Sequence, residues 1–367
     1  MKLTSLSVRS FRNHTQTEIT INQPVTVFYG KNGQGKTNLL DAVHFLSLTK
    51  SFLVNSDSMC IKHGTDQFNL KGNFQSDRLL DYEVKVKVDQ SGKKEFSVNG
   101  DGSYNQLDMI GLIPTVIMTL DDRLITMGSP ADRRKFVDSI LFQISKSYID
   151  DSRKLKRIIK QRNDVLSSHN RNNKSNNDLY EAWTDELISV SVPIIKKRIQ
   201  FILDFKKILA DLYVSEFSAY EKPDIHYLYN GVPVTENFQP EAALAQSRMD
   251  LKKQEFDRGT TLFGPQRDDL LLLLDGKECR YFASQGQHKL FLLALKFSMW
   301  KYMYEVLQEK PIFLIDDIFS ELDSDRLELI SKFLPSLGQT FITATDREDF
   351  QSKIAAEIFE IKNGSVC

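Results

Sequence analysis

The segment Gly30-Lys31-Asn32-Gly33-Gln34-Gly35-Lys36-Thr37 constrains this chain more than any other. It fits the pattern G-x-x-x-x-G-K-[ST]. It follows the apolar run Val25-Thr26-Val27-Phe28-Tyr29, and beyond it Leu39, Leu40, Val43, Phe45 and Leu46 recur at helical spacing from Lys36 on. Strand, glycine loop and helix, in that order, make the context in which this pattern cradles phosphate. The glycines let successive backbone N–H groups turn inward, and the helix N-terminus adds positive potential. Lys36 is placed to neutralise the β- and γ-phosphates of ATP, and the Thr37 hydroxyl to hold Mg²⁺. At average composition, chance gives the pattern on the order of once in a hundred chains of this length. An accidental glycine loop is therefore the weaker reading.

A second segment meets the first in chemistry. Pro311-Ile312-Phe313-Leu314-Ile315-Asp316-Asp317 is an apolar strand ending in two carboxylates. In a parallel sheet that end faces the phosphate site. Asp316 is suited to bind Mg²⁺ through water, and Asp317 to orient or deprotonate the attacking water. Lys36 and Asp317 are thus the catalytic pair. Two acids capping the next helix would be the ordinary alternative without the phosphate loop.

Between these segments stands Ala283-Ser284-Gln285-Gly286-Gln287, ahead of a helix expected from about His288. Taken alone, Ser284 reads as an N-cap. After the acidic strand comes Ser320-Glu321-Leu322-Asp323.

The rest of the chain bounds the fold. It has 367 residues, 41% of them hydrophobic and 26% charged, which is ordinary for a globular chain of one or two domains. No apolar run approaches the ~20 residues of a membrane span. Cys60, Cys279 and Cys367 form no close pair, so neither zinc nor a disulfide framework is indicated and a cytoplasmic setting is expected. With 48 basic and 49 acidic residues, any nucleic-acid contact must use a local basic surface.

Alternation of Tyr82, Val84, Val86 and Val88 with charged residues predicts a half-exposed strand, continued by Phe96 and Val98 into the turn Asn99-Gly100. Ser129-Pro130-Ala131-Asp132 predicts a capped helix start. Two long helices, broken by a polar stretch from Ser167 to Asp178 and with a kink at Pro193, predict an arm roughly 50 Å long. Arg153, Lys154, Lys156, Arg157, Lys160 and Arg162 read as a solvated basic face, and Arg133-Arg134 as partners of acids on a neighbouring helix. Leu270–Leu274, Ile312–Ile315 and Phe341–Ala344 read as buried strands. The expected architecture is α/β. An ATPase lobe comes from residues 1–120 and 259–367, and a helical arm lobe, 121–258, is inserted between its halves.

The order of the phosphate loop, Ser-x-Gly-Gln, acidic strand and Ser320–Asp323 resembles that of ABC-type ATPase heads. That resemblance implies two ATP molecules shared between two copies. Ser284, Gly286 and Gln287 would contact the γ-phosphate across the pair, and Asp323 would be the D-loop aspartate bridging the two sites. Most such heads carry Glu where Asp317 stands, so slow hydrolysis is expected. Phe11-Arg12-Asn13-His14, Gly128-Ser129-Pro130 with Arg133-Arg134, Lys160-Gln161-Arg162-Asn163 and Gly264-Pro265-Gln266-Arg267-Asp268-Asp269 further resemble the RecF family of DNA replication and repair proteins. This resemblance implies a weak ATPase that dimerises with ATP on duplex DNA beside single-strand gaps. It also implies a RecR-type partner and aid to RecA loading, away from any membrane. The alternative is another ABC-type ATPase, an SMC-like head or a transporter subunit. The chain lacks the heptad length of the first, and its inserted arm is foreign to the second.

Overall fold

A computed structural model describes residues 1–172, 177–218, 220–318, 324–345 and 355–367. The chain divides into two compact units, Met1–Asp122 with Leu295–Cys367, and Arg123–Ala294.

The first unit begins with β1 (Lys2–Phe11), β2 (His14–Thr20), β3 (Val25–Tyr29), α1 (Lys36–Leu48), β4 (Gln67–Gln75), β5 (Asp81–Asp89), β6 (Lys94–Val98), α2 (Gln106–Met109) and β7 (Thr115–Met118). Among the described residues, β2-β1-β4-β5-β6 form an antiparallel sheet. Its inner face sends Leu6, Val8, Phe68, Leu70, Val84 and Val86 into the core with Phe45 of α1. Phe11, Phe45 and Phe68 meet edge-on at ring-centroid distances of 5.0 to 6.3 Å, the arrangement that aromatic quadrupoles favour. Strand alternation at residues 82–88 is as expected from the sequence.

The second unit holds α3 (Arg123–Met127), α4 (Pro130–Ile144), α5 (Lys146–Asn172), α6 (Asn177–Leu212), β8 (Pro223–Tyr229), β9 (Val232–Pro233), α7 (Pro240–Arg258), β10 (Asp269–Leu274), β11 (Lys277–Glu278) and α8 (Cys279–Phe282). α4 starts as predicted. The Asp132 carboxylate accepts from the Ser129 N–H and hydroxyl at 2.8 and 2.7 Å, with Pro130 at the first helical position. α5 and α6 pack on one another, and α6 carries Pro193 in its interior. The polar stretch interrupts less than its composition suggested. α5 runs on through Asn172 and α6 starts at Asn177, so helix persists well into the Asn-rich segment.

The basic stretch needs one correction. Arg153, Lys154, Lys156, Arg157 and Lys160 are exposed, but Arg162 is wholly buried. Its guanidinium forks onto Glu255, itself buried, at 2.5 and 2.9 Å. Thr184 and Thr261 accept its other N–H groups at 3.0 Å, and the Tyr180 O–H donates to the same carboxylate. A charge can be buried here because the opposite charge of Glu255 and four hydrogen bonds to the guanidinium offset its loss of water. Arg133 does grip an acid, Asp269, through two bonds of 2.7 and 2.8 Å, but that residue opens strand β10 rather than lying on a helix, and Arg134 donates to the Asp268 backbone carbonyl at 2.6 Å.

α9 (Gln285–Leu307) carries the chain from the second unit into the first, followed by β12 (Ile312–Ile315), α10 (Ser324–Phe333), β13 (Thr340–Ala344), β14 (Glu357–Lys362) and β15 (Ser365–Val366). The returning unit therefore starts at Leu295, whereas the sequence reading placed it at 259. The physical reason is strand pairing: β10 joins β8 antiparallel and so belongs with the second unit's sheet. In the first unit's other sheet the order is β15-β14-β3-β13-β12-β7, parallel from β14 to β7. β13 thus separates β3, which leads into the glycine loop, from β12, which leads into Asp316. Both strands end on the same edge of the sheet.

Candidate nucleotide site

The loop between β3 and α1 has the conformation that its glycines permit. Gly30, Gly33 and Gly35 all have positive φ, at 151, 79 and 109°. At Gly30 a Cβ would lie 2.5 Å from the Ile361 carbonyl oxygen, so the hairpin beneath the loop excludes any side chain. Lys31, Asn32 and Gly33 form the exposed crest, and Gln34 is half-buried. Lys36 folds back under the loop, donating from Nζ to the carbonyls of Gly30 at 2.5 Å and Lys31 at 3.1 Å. Burial pulls its ammonium below the usual range, and the charges of Asp317 and Asp316 oppose that shift.

Across the strand ends, Thr37 Oγ1 donates to Asp316 Oδ1 at 2.8 Å. Thr343, at the end of the intervening β13, donates to the same oxygen at 2.8 Å. Its hydroxyl also accepts the Asp317 N–H at 2.9 Å. Burial raises the Asp316 carboxyl, while the two threonine hydroxyls pull it back and neighbouring Asp317 pushes it up again. Lys36, Thr37, Asp316 and Asp317 therefore converge as the sequence reading placed them. Thr343 was missed. Its signal was slight: a hydroxyl near the end of an otherwise buried apolar strand.

The residues fit a Mg²⁺ ion held jointly with a nucleotide. The Thr37 hydroxyl and Asp316 carboxylate supply hard oxygen donors side by side. Among the described residues, no group of three or more His, Cys, Asp or Glu could hold a metal alone. The remaining ligands would have to be phosphate and water, as is usual for this ion.

The second unit carries Ser284, Gly286 and Gln287. α9 starts at Gln285, three residues earlier than expected, and Ser284 is its N-cap. The Gln287 Oε1 accepts the Ser284 N–H at 2.7 Å, and the Gln287 N–H donates to Ser284 Oγ at 3.2 Å. This reciprocal box matches the Ser-x-x-Gln pattern. The Gln287 amide nitrogen is further tied to Glu221 at 2.7 Å. Asp323 lies outside the described residues.

A glycine loop with its lysine and threonine, an acid pair on a parallel strand end and a serine-capped helix together define an ABC-type P-loop ATPase head. The family described as the RecF/RecN/SMC N-terminal domain matches residues 2–365, and the chain belongs to that family, in its RecF group. It is 39% identical over 356 residues to the DNA replication and repair protein RecF of Chloroherpeton thalassium, covering 95% of this chain and 96% of that protein. With RecF of Salinibacter ruber the identity is 35%, over 97% of this chain and 88% of the other. Two solved structures of the recombination mediator protein RecF in the RecFOR pathway, as RecF-ATPrS and RecF-ATP, superpose with TM-scores of 0.91 and 0.90 at 30% identity. They cover 100% of this chain and 97% and 96% of theirs. An Smc head domain from Pyrococcus furiosus shares the fold at TM-score 0.58 and 16% identity. Among the described residues, no helix is long and apolar enough to cross a membrane.

Proposed function

We propose that this chain is an ATP-gated DNA clamp of recombinational gap repair. Two copies close on ATP, grip duplex DNA beside a single-strand gap, aid recombinase loading there and let go after slow hydrolysis. The observation that carries the reading is the convergence of Lys36, Thr37, Asp316 and Asp317 on one sheet edge, in a chain whose relatives are named for DNA repair. The amides of the 30–37 loop receive the phosphates, and Lys36 leaves its carbonyl partners to meet the β- and γ-phosphate charge. When bound, Mg²⁺ neutralises developing charge on the phosphate oxygens; Thr37 and Asp316 hold it. Asp317 orients the attacking water and takes its proton. Ser284, Gly286 and Gln287 serve the γ-phosphate of the other copy, with Asp323 bridging the two sites. Closure follows because each nucleotide binds the paired form better than the open one. A RecR-type mediator is the protein partner.

The test is sedimentation and DNA binding, with and without ATP, on gapped and continuous duplex. ATP-dependent pairing on DNA that weakens steeply with salt is expected. Lys36→Ala should lose ATP binding, pairing and DNA retention together. Ser284→Arg should bind ATP yet fail to pair. Mixing the two variants should restore part of the ATPase, because one shared site escapes both lesions. Full hydrolysis by each monomer regardless of concentration would refute sharing, and ATP-independent DNA binding would refute gating.

A further inference from the structure

Two segments far apart in sequence close around the outside of the phosphate loop. Asn13 lies in the turn between β1 and β2, His14 opens β2, and Asn363-Gly364 turn between β14 and β15. The Gln34 carbonyl accepts from Asn13 Nδ2 at 2.9 Å and from the Gly364 N–H at 2.9 Å. The Gly35 carbonyl lies 3.0 Å from His14 Nε2, besides accepting the first helical bond from Leu39 at 3.3 Å. A carbonyl can only accept, so Nε2 carries the proton. Burial holds this ring below its usual range, which keeps the single-proton form at neutral pH, and Thr17 Oγ1 lies 2.9 Å from its other nitrogen. Asn13 is itself fixed: its Oδ1 accepts from Asn38 at 2.8 Å and its carbonyl from Lys62 at 2.8 Å. The Gln34 side chain is held as well, its Oε1 accepting the Asn363 N–H at 2.7 Å.

The consequence lies in peptide geometry. In a trans peptide the C=O and the following N–H point in opposite directions, and no cis bond is present among the described residues. Holding the Gln34 and Gly35 carbonyls outward therefore aims the N–H groups of Gly35 and Lys36 the other way, toward the phosphate cradle. The fit admits only glycine at 35, where a Cβ would lie 2.5 Å from Asn13 Oδ1 and 2.9 Å from His14 Nε2.

We infer that Asn13, His14 and Gly364 are positioning residues, a collar that presets the Gly35 and Lys36 amides for the phosphate oxygens of ATP. This rests on the ATP-binding reading above. A loop so held needs no reordering when the nucleotide arrives, so the collar acts on affinity. It touches ground state and transition state alike, and its loss should raise KM while leaving kcat nearly unchanged.

The experiment compares His14→Gln with His14→Asn in the full chain, reading ATP affinity by calorimetry, KM and kcat, and thermal unfolding without nucleotide. A glutamine amide nitrogen reaches the place of Nε2; an asparagine amide reaches only that of Nδ1. His14→Asn should weaken ATP about tenfold, the effect of one lost hydrogen bond, and His14→Gln should restore most of it. Equal behaviour of the two variants, or wild-type affinity in His14→Asn, would overturn the inference. Half-buried Asn13→Leu removes the other donor and covers the case of misfolded His14 variants. It too should lose about tenfold, and unchanged affinity in the folded variant would refute the collar. Wild-type protein and Lys36→Ala run alongside; equal ATP binding by those two would fault the ATP reading itself rather than the collar.

Discussion

Thr37 and Asp316, separated by 279 positions in sequence, share a hydrogen bond of 2.8 Å between their side-chain oxygens. The bond links the first turn of α1 to the end of β12, and both oxygens are of the kind Mg²⁺ prefers. Asp316→Asn keeps the shape but removes the charge. We expect wild-type ATP affinity to fall when Mg²⁺ is chelated, whereas the variant's affinity should be low and insensitive to chelation. Nucleotide titrations with and without a chelator read this directly. A variant that still gains from Mg²⁺ as strongly as wild type would remove Asp316 from the metal site.

Asp317 should separate binding from turnover. Asp317→Asn retains size and the backbone bond to Thr343 but cannot take a proton. ATP affinity should stay within about threefold, while hydrolysis falls on the order of 10²-fold or more, the usual contribution of a general base. The closed pair should accumulate on DNA. Steady-state phosphate release and gel-filtration mobility in ATP check both halves.

The buried Arg162–Glu255 pair predicts a large stability effect in the second unit. Glu255→Gln leaves a guanidinium wholly buried against a neutral partner. Breaking such a pair from one side costs about 3–5 kcal/mol. Replacing both, as Arg162→Met with Glu255→Leu, should cost much less. Chemical denaturation followed by tryptophan fluorescence, with Trp183 on α6, distinguishes the two variants.

His44 predicts acid sensitivity of the first unit. The ring is buried, donating from Nδ1 to the Lys50 carbonyl at 2.9 Å, and burial lowers its pKa to about 4. In the unfolded chain it returns to its ordinary 6.5. The unfolded state thus binds the extra proton first as pH falls. The associated stability is fully present above 6.5 and is lost progressively toward pH 4, by up to roughly 3 kcal/mol. His14, also in the first unit, is shifted in the same direction and adds to the slope. His44→Asn keeps a donor but cannot titrate, so its stability should change less between pH 6.5 and 4. An unchanged slope in that variant would mean the ring is not the source.

The parts of this molecule governed by local chemistry were readable from sequence. The glycine loop, the strand ending in Asp316-Asp317, the alternating β5 and the capped start of α4 each depend on residues within a few positions of one another. What escaped depends on pairing at a distance. Leu270–Leu274 announces a strand but not that it joins Pro223–Tyr229, so the unit boundary was misplaced. Arg162 shares its composition with five exposed neighbours, and only Glu255, on another helix, marks it as buried. Thr343 looked like any strand threonine until β13 fell between β3 and β12. Asn13 and His14 stood out by family likeness, without any chemical role to suggest that they hold the Gln34 and Gly35 carbonyls.

Asp317 has a left-handed backbone, with φ of 51°. Among residues with a side chain, Asp and Asn enter that region most readily. A glutamate here would gain a methylene of reach toward the water but meet a conformational penalty that the aspartate largely escapes. Evolution toward faster turnover by that single replacement is therefore hindered by the turn itself. A chain wanting a quicker clock would have to rebuild the corner after β12 before it could profit from the longer acid.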